Sequence, residues 1–296
     1  MIHTEELWKC YRGHDAVRGI SFSVPEGSAY ALIGANGAGK TTTLKILMNI
    51  LEPTSGSATV LGIDSRRITH RELNRIGYVS ENQQMPERLT VEEYFNYLRP
   101  FYMRWDRQLE SSLRAQLRLP PTRRIGELSH GMRMKMALAC ALPFRPDILI
   151  LDEPFSGLDP LVRDEFMDGV LDQAGETTIL MSTHELGEVE GVATHVAFLE
   201  EGKLLFDEPM ELLHKRFRAV RIVFDHVAHM PQEPSPDWFQ LAADGNTLQF
   251  IDSRFTEDLS HKRLNTRFHG IRSIEAEPVP LRTIFTALAR AVRNAA

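Results

Sequence analysis

Short apolar runs alternate with stretches of helical periodicity through most of the chain. Residues 29–33, 148–151 and 178–181 are nearly continuous apolar runs, the pattern of strands buried on both faces. Between them, residues 40–51 set Leu44, Leu47, Met48 and Leu51 on one helical stripe that Pro53 stops, and residues 133–142 form a second helix closed by Pro143. Asp159 and Pro160 stand as N-cap and first residue of a third. Strands alternating with helices predict an α/β fold with a mainly parallel sheet covered on both sides. Ahead of it, residues 2–8 and 20–24 alternate apolar and polar, and Pro25-Glu26-Gly27 forms a turn, so an N-terminal antiparallel β layer precedes the sheet. Further short strands are expected at 57–61 and 75–79.

The pattern turns helical from residue 89 to about 142. Thr90-Val91-Glu92-Glu93 is a capping box ahead of Val91, Tyr94, Phe95 and Leu98 on one face; Asp106 caps a second helix in which Leu109, Leu113 and Leu117 step by four. This is a helical insert, rich in aromatics, with residues 89–119 as its compact first part. Beyond it, residues 195–199 and 203–206 read as a hairpin around Glu201-Gly202, and 209–217 as a helix ending the main domain, 1–217. Residues 218–296 read as a small α/β appendage with strands at 220–224, 248–251 and 271–276 and a final helix at 281–293.

Composition narrows the function classes. A net charge of −6 and a pI near 6.0 argue against nucleic acid as the main partner. The longest strictly apolar run, 136–144, is too short to span a bilayer and contains a proline; Glu5 and Glu6 precede any apolar stretch, unlike a secretory leader. A cytoplasmic location is expected. Cys10 and Cys140, far apart and outside any CxxC, read as buried or half-buried free thiols.

The densest chemistry is Gly34-Ala35-Asn36-Gly37-Ala38-Gly39-Lys40-Thr41, a GxxxxGK[ST] match directly after one strand and before one helix. Glycines there let backbone N–H groups turn inward around phosphates, and the helix N-terminus adds its positive end. Lys40 would reach the β- and γ-phosphates, and the Thr41 hydroxyl would ligate Mg²⁺. The strand at 148–151 delivers Asp152 and Glu153 at its C-terminal end, where ligands of open α/β sheets bind, and the strand at 178–181 delivers Ser182-Thr183-His184-Glu185. Tyr11, between two strands, is an aromatic ring able to stack on a base or to pack internally.

In this order the segments resemble the nucleotide-binding subunit of an ABC transporter, of the exporter-type single-cassette kind, over about residues 2–217. Tyr11 matches the adenine-stacking aromatic, Gly34 to Thr41 the phosphate loop, Glu81 the Q-loop position, and Leu128-Ser129-His130-Gly131-Met132 the signature. Asp152 and Glu153 match the magnesium and catalytic carboxylates, Ser156 to Asp159 the D-loop, and His184 the switch histidine. The resemblance implies a P-loop ATPase core, ATP and Mg²⁺ as ligands, and a dimer, homodimeric or with a sister subunit, in which Ser129 and Gly131 of one copy face the other copy's γ-phosphate. Expected nucleotide contacts are Tyr11, Gly34, Asn36, Gly37, Ala38, Gly39, Lys40, Thr41, Thr42, Ser129, Gly131 and Asp159. Expected metal ligands are Thr41, Asp152 and Glu81. Glu153, His184 and Lys40 are the expected catalytic groups.

Two departures stand out. His130 and Met132 replace residues of the usual Leu-Ser-Gly-Gly-Gln signature, and Glu81 stands where glutamine is usual, with Gln83 as the alternative Q-loop residue. The implied partner is a separate integral membrane permease at the cytoplasmic face of the membrane, docking in the cleft over the Q-loop, where one or two of Tyr94, Tyr97, Phe101 and Tyr102 are expected to face it. The rival reading is a soluble ABC ATPase acting on nucleic acid, ribosomes or cluster assembly. Neither a long coiled coil between Q-loop and signature nor a second cassette supports that rival, and no NKxD guanine motif supports a GTPase.

Overall fold

The apolar runs read from the sequence form the middle of a six-stranded sheet. The computed structural model describes residues 1–171 and 177–295. The chain divides into two units, Met1–Asp207 and Glu208–Ala296. In chain order the first holds β1 (Ile2–Tyr11), β2 (His14–Val24), β3 (Ala29–Ile33), α1 (Lys40–Leu47), β4 (Ser55–Val60), β5 (Ile63–Asp64), α2 (His70–Leu73) and β6 (Ile76–Ser80). Then come α3 (Val91–Leu98), α4 (Arg107–Gln116), α5 (His130–Ala141), β7 (Ile148–Asp152), α6 (Pro160–Leu171), β8 (Thr178–Thr183), β9 (His195–Glu200) and β10 (Lys203–Pro209), which crosses the boundary.

The six-stranded sheet runs β10-β9-β3-β8-β7-β6, with β9, β3, β8, β7 and β6 pairing parallel. Side-chain alternation explains why it is buried on both faces. Ile148, Ile150 and Leu180 enter one apolar cluster with Leu32, Leu44 and Phe22, while Leu149, Leu151, Ile179 and Met181 enter another with Phe95, Met136 and Phe166. The first cluster is roofed by the antiparallel layer β2-β1-β4-β5 and by α1; the second is filled by α3 to α6.

Caps set the helix starts. Thr90 and Glu93 close a reciprocal capping box on α3, and Asp106 accepts from the Gln108 and Leu109 amides at α4. The signature helix α5 begins at His130, earlier than the expected residue 133, because the Ser129 hydroxyl caps it by accepting from Met132 N–H at 3.2 Å. Conversely α1 ends at Leu47 rather than residue 51, the chain turning through Met48 and a left-handed Asn49. The short α2, capped by Thr69 and Glu72, has too few residues to show an apolar period. Cys10 is exposed near the end of β1, contrary to the buried or half-buried expectation; Cys140 is buried as expected.

The second unit holds α7 (Met210–Arg216), β11 (Arg218–Phe224), β12 (Trp238–Asp244), β13 (Thr247–Asp252), α8 (Glu257–Arg267), β14 (Ile271–Pro278) and α9 (Leu281–Ala295). Its antiparallel sheet, β12-β13-β11-β14, packs Val220, Ile222, Phe224, Leu248 and Phe250 with Trp238 and Leu264. The unit begins before α7, whereas the sequence reading closed the first domain at Phe217. The reason is local: the Arg216 carbonyl accepts from Phe255 N–H at 2.9 Å, and its guanidinium donates to the Ser253 carbonyl at 2.8 Å, which ties α7 to the chain after β13.

Candidate active site

Parallel register assembles the site. Ser80 of β6 lies beside Asp152 of β7, Asp152 beside Ser182 of β8, and Thr183 beside Ile33 of β3, so one row of residues ends the sheet where the phosphate loop leaves it. The loop then turns through Gly37 and Gly39, both with positive φ. Gly39 has φ +104° and a Cβ there would collide with the Ala16 carbonyl, so this close approach requires glycine. Gly39 is the N-cap of α1 and offers no side-chain cap, which leaves the first-turn N–H groups to an anion.

A cleft of about 490 Å³ is lined by Tyr11, His14, Ala16, Asn36, Gly37, Gly39, Lys40, Thr41, Thr42, Glu81 and Glu153. It brings nine sequence-predicted residues together and adds His14 and Ala16, from the start of β2, which the sequence reading missed. Tyr11 is the last residue of β1 rather than a residue between strands; it pairs with His14 across the turn and is 45% exposed, its ring over Lys9 Nζ at 5.3 Å. Gly34 and the buried Ala38 lie under the loop, where a Cβ on Gly34 would strike the Leu199 carbonyl.

Lys40 is only 4% exposed, and three oxygens hold its ammonium: the carbonyls of Gly34 at 2.6 Å and Ala35 at 3.2 Å, and Glu153 Oε1 at 2.9 Å. The other Glu153 oxygen lies 2.7 Å from His184 Nδ1. Burial pushes the Glu153 carboxyl up, but the Lys40 and His184 hydrogen bonds outweigh it and hold the group below its ordinary value. Glu153 also has φ +50°, uncommon for a non-glycine residue, and its N–H donates to Ser182 Oγ at 3.0 Å.

Asp152 Oδ1 accepts from the Thr41 hydroxyl at 2.9 Å and from the Ser182 hydroxyl at 2.7 Å. An all-oxygen pair, one carboxylate and one hydroxyl beside a phosphate cleft, fits Mg²⁺, which is bound through few protein oxygens plus phosphate. Ser182 escaped the sequence reading as a site residue, although its place opposite Asp152 in a parallel pair was the signal that would have found it. Glu81 rather than Gln83 lines this cleft; Glu81 Oε1 accepts from Ser156 Oγ at 2.9 Å, while Gln83 faces a neighbouring cleft.

Five expected nucleotide contacts lie outside the cleft lining: Gly34 and Ala38 within the phosphate loop itself, Ser129 and Gly131 at the start of α5, and Asp159, which accepts from Val162 N–H at 3.0 Å as the cap of α6. Behind His184, the Thr183 hydroxyl donates to Glu188 Oε2 at 2.5 Å, and Arg163 of α6 reaches Glu185 and Glu188, each at 3.3 Å.

The neighbouring cleft, of about 560 Å³, runs between residues 80–87 and the start of α5, lined by Ser80 to Met85, Glu87, Ile125, His130, Arg133 and Met134. None of Tyr94, Tyr97, Phe101 and Tyr102 lines it. Tyr102 stacks on Phe144 at 4.1 Å and Tyr94 packs against the second apolar cluster; Tyr97 and Phe101 stand 56% and 59% exposed, edge to face at 5.3 Å. The expectation that one or two of these rings face the cleft is corrected: Tyr94 and Tyr102 pack inward, and Tyr97 and Phe101 stand exposed outside its lining.

A glycine loop between β3 and α1, with a carboxylate pair from β7 and a histidine after β8 around it, defines a P-loop nucleotide-binding protein. Residues 17–156 match the family model described as ABC transporter. The uncharacterized ABC transporter ATP-binding protein YxlF of Bacillus subtilis is 34% identical over 223 residues, covering 73% of this chain and 73% of its own length. A solved ATP-binding subunit of an ABC transporter superposes with a TM-score of 0.66 at 27% identity, covering 72% of this chain and 92% of its own. A dimeric ATP-binding cassette bound to ADP and Pi shares the fold, with a TM-score of 0.63 at 22% identity, over 71% of this chain and 99% of its own. The chain belongs to the ABC transporter ATP-binding family. Among the described residues, no helix is long and apolar enough to cross a membrane.

Proposed function

We propose that this chain is a Mg²⁺-dependent ATPase that closes as a dimer around ATP and drives a separate membrane permease from the cytoplasmic face of the membrane. The convergence of Lys40, Asp152, Glu153 and His184 on one phosphate loop carries the reading. Phosphoryl transfer to water needs charge neutralisation and a placed nucleophile, and little covalent work. Thr41 and Asp152 would hold Mg²⁺ with the phosphate oxygens, with Glu81 at the cleft edge. When bound, the ion would supply charge neutralisation on the phosphates. Lys40 moves its charge from Glu153 to the γ-phosphate, and Glu153, released and ionised, accepts the proton of the attacking water. His184, held by Glu153, then donates to the γ-phosphate. Tyr11 offers its exposed ring to the base.

Ser129, Gly131 and Asp159 lie outside the chain's own cleft, which supports a contribution to the partner copy's nucleotide, as does the dimeric state of the like-folded cassette. The domain bearing this chemistry is the first unit, and the second tunes closure or partner choice without touching the phosphates. The test is Mg²⁺-dependent ATP hydrolysis that Lys40→Ala abolishes, together with copurification of a membrane protein. A chain that instead sediments with ribosomes or DNA belongs to the soluble ABC ATPases.

A further inference from the structure

Glu81 and His130, two of the three residues that depart from the family pattern, meet on one residue. The His130 ring turns back from the first turn of α5 and donates through Nε2 to the Ser156 carbonyl at 3.0 Å. That acceptor fixes the proton on Nε2, since a carbonyl cannot donate. The Ser156 hydroxyl donates to Glu81 Oε1 at 2.9 Å, a charge-assisted bond, and its N–H donates to the Glu153 carbonyl at 3.3 Å. The His130 ring also covers Gly157, 3.7 Å from where a Cβ would stand. Ser156 therefore ties the signature helix to Glu81 and to the turn that carries Glu153. A glycine at position 130 has no side chain to hold that carbonyl.

We propose that His130 is a positioning residue, which acts through Ser156 to hold Glu81 and the Glu153 turn in register with the chain's own signature segment. The state of one subunit's phosphate site is thereby linked to the placement of Ser129 and Gly131, which serve the partner copy. The proposal rests on the ATPase reading above. His130 itself faces its own D-loop, at Ser156 and Gly157.

The test uses the full chain and four variants: His130→Ala, His130→Gln, Ser156→Ala and the double variant His130→Ala with Ser156→Ala. Glutamine places its amide nitrogen near the position of imidazole Nε2, so it preserves the donor. His130→Ala should lower kcat about five-fold, the size of one neutral hydrogen bond that matters only in the transition state. ATP affinity, read with a fluorescent nucleotide, should stay within about two-fold, and His130→Gln should restore most of the rate. In the Ser156→Ala background, His130→Ala should cost less than two-fold, because the chain of bonds is already broken. Thermal melts fix an assay temperature at which every variant is folded. Multiplying effects, equal impairment of the alanine and glutamine variants, or an unchanged kcat each overturn the proposal. A parent without hydrolysis sinks the ATPase reading and this proposal together, whereas a hydrolysing parent with indifferent His130 variants sinks this proposal alone.

Discussion

Replacing Glu153 with glutamine separates nucleotide binding from chemistry. The carboxylate pairs with Lys40 at 2.9 Å and with His184 at 2.7 Å. Glutamine offers one acceptor oxygen in place of two and loses the charge, so it keeps one of these contacts at most, while Lys40 retains the Gly34 and Ala35 carbonyls. The loss is that of one hydrogen bond between charged groups, about 1.5–3 kcal/mol of stability without ATP. With ATP the sign reverses, because the γ-phosphate no longer competes with a carboxylate for the ammonium. Affinity should rise by up to about ten-fold, the equivalent of 1.4 kcal/mol. Hydrolysis should fall by about 10²–10⁴, the range for removing a general base. Melts with and without Mg-ATP, equilibrium binding and single-turnover hydrolysis read the three terms separately. Single-turnover rates within a few-fold of the parent, or a variant that ATP fails to stabilise more than it stabilises the parent, would refute the assignment of Glu153.

Mixing Lys40→Ala subunits with Ser129→Arg subunits should restore hydrolysis beyond the sum of the two alone, since the mixed dimer carries one intact shared site; pure additivity in demonstrably mixed dimers counts against sharing. Glu188 tests the network behind His184: burial pushes its carboxyl up to about 7, against the Thr183 hydrogen bond and Arg163, with Glu185 and Glu153 adding to the rise. The folded state keeps this proton while the unfolded chain releases it near the ordinary value, so stability from this group falls by about 3 kcal/mol as pH rises from 4.5 through 7. Glu188→Gln should flatten that decline in denaturant titrations, and an unaltered slope would show the carboxyl to be ionised throughout. On α3 and in the turn just after it, Tyr97→Ala and Phe101→Ala should leave the melting temperature within about 2 °C while costing permease copurification, whereas Tyr102→Ala, which strips the stack on Phe144, should destabilise by about 3–5 kcal/mol. Equal destabilisation by all three would place the exposed pair inside the fold's energetics and remove it as a docking surface.

The central sheet was legible because its strands are buried on both faces and read as unbroken apolar runs, with the phosphate loop marking a strand end by its own glycines. The second unit was legible only in part. Strand β12 buries Trp238 at one end and exposes much of the rest, and α8 offers Leu264 to the core while its other leucine, Leu259, is exposed, so neither shows a period. The division at Asp207 was hidden for a different reason. Helix α7 looks identical in sequence whichever unit it joins, and the bonds between Arg216 and residues 253 and 255 tie it to the second.

For the site, the limit was orientation rather than identity. Motif spacing brought Lys40, Thr41, Asp152, Glu153 and His184 to one sheet edge, because each follows a strand and parallel strands end together. Spacing says nothing about partners made across loops. Ser182 was delivered to the right place yet went unused, since its role depends on standing opposite Asp152 in the β7–β8 register. In the sequence His130 stands only as a departure from the usual signature. Its ring points to Ser156, and Ser156 holds another departure, Glu81. Two substitutions that each look like a loss within its own motif are thus joined by a serine in a third, and a motif-by-motif comparison has no means of seeing a pair 49 positions apart.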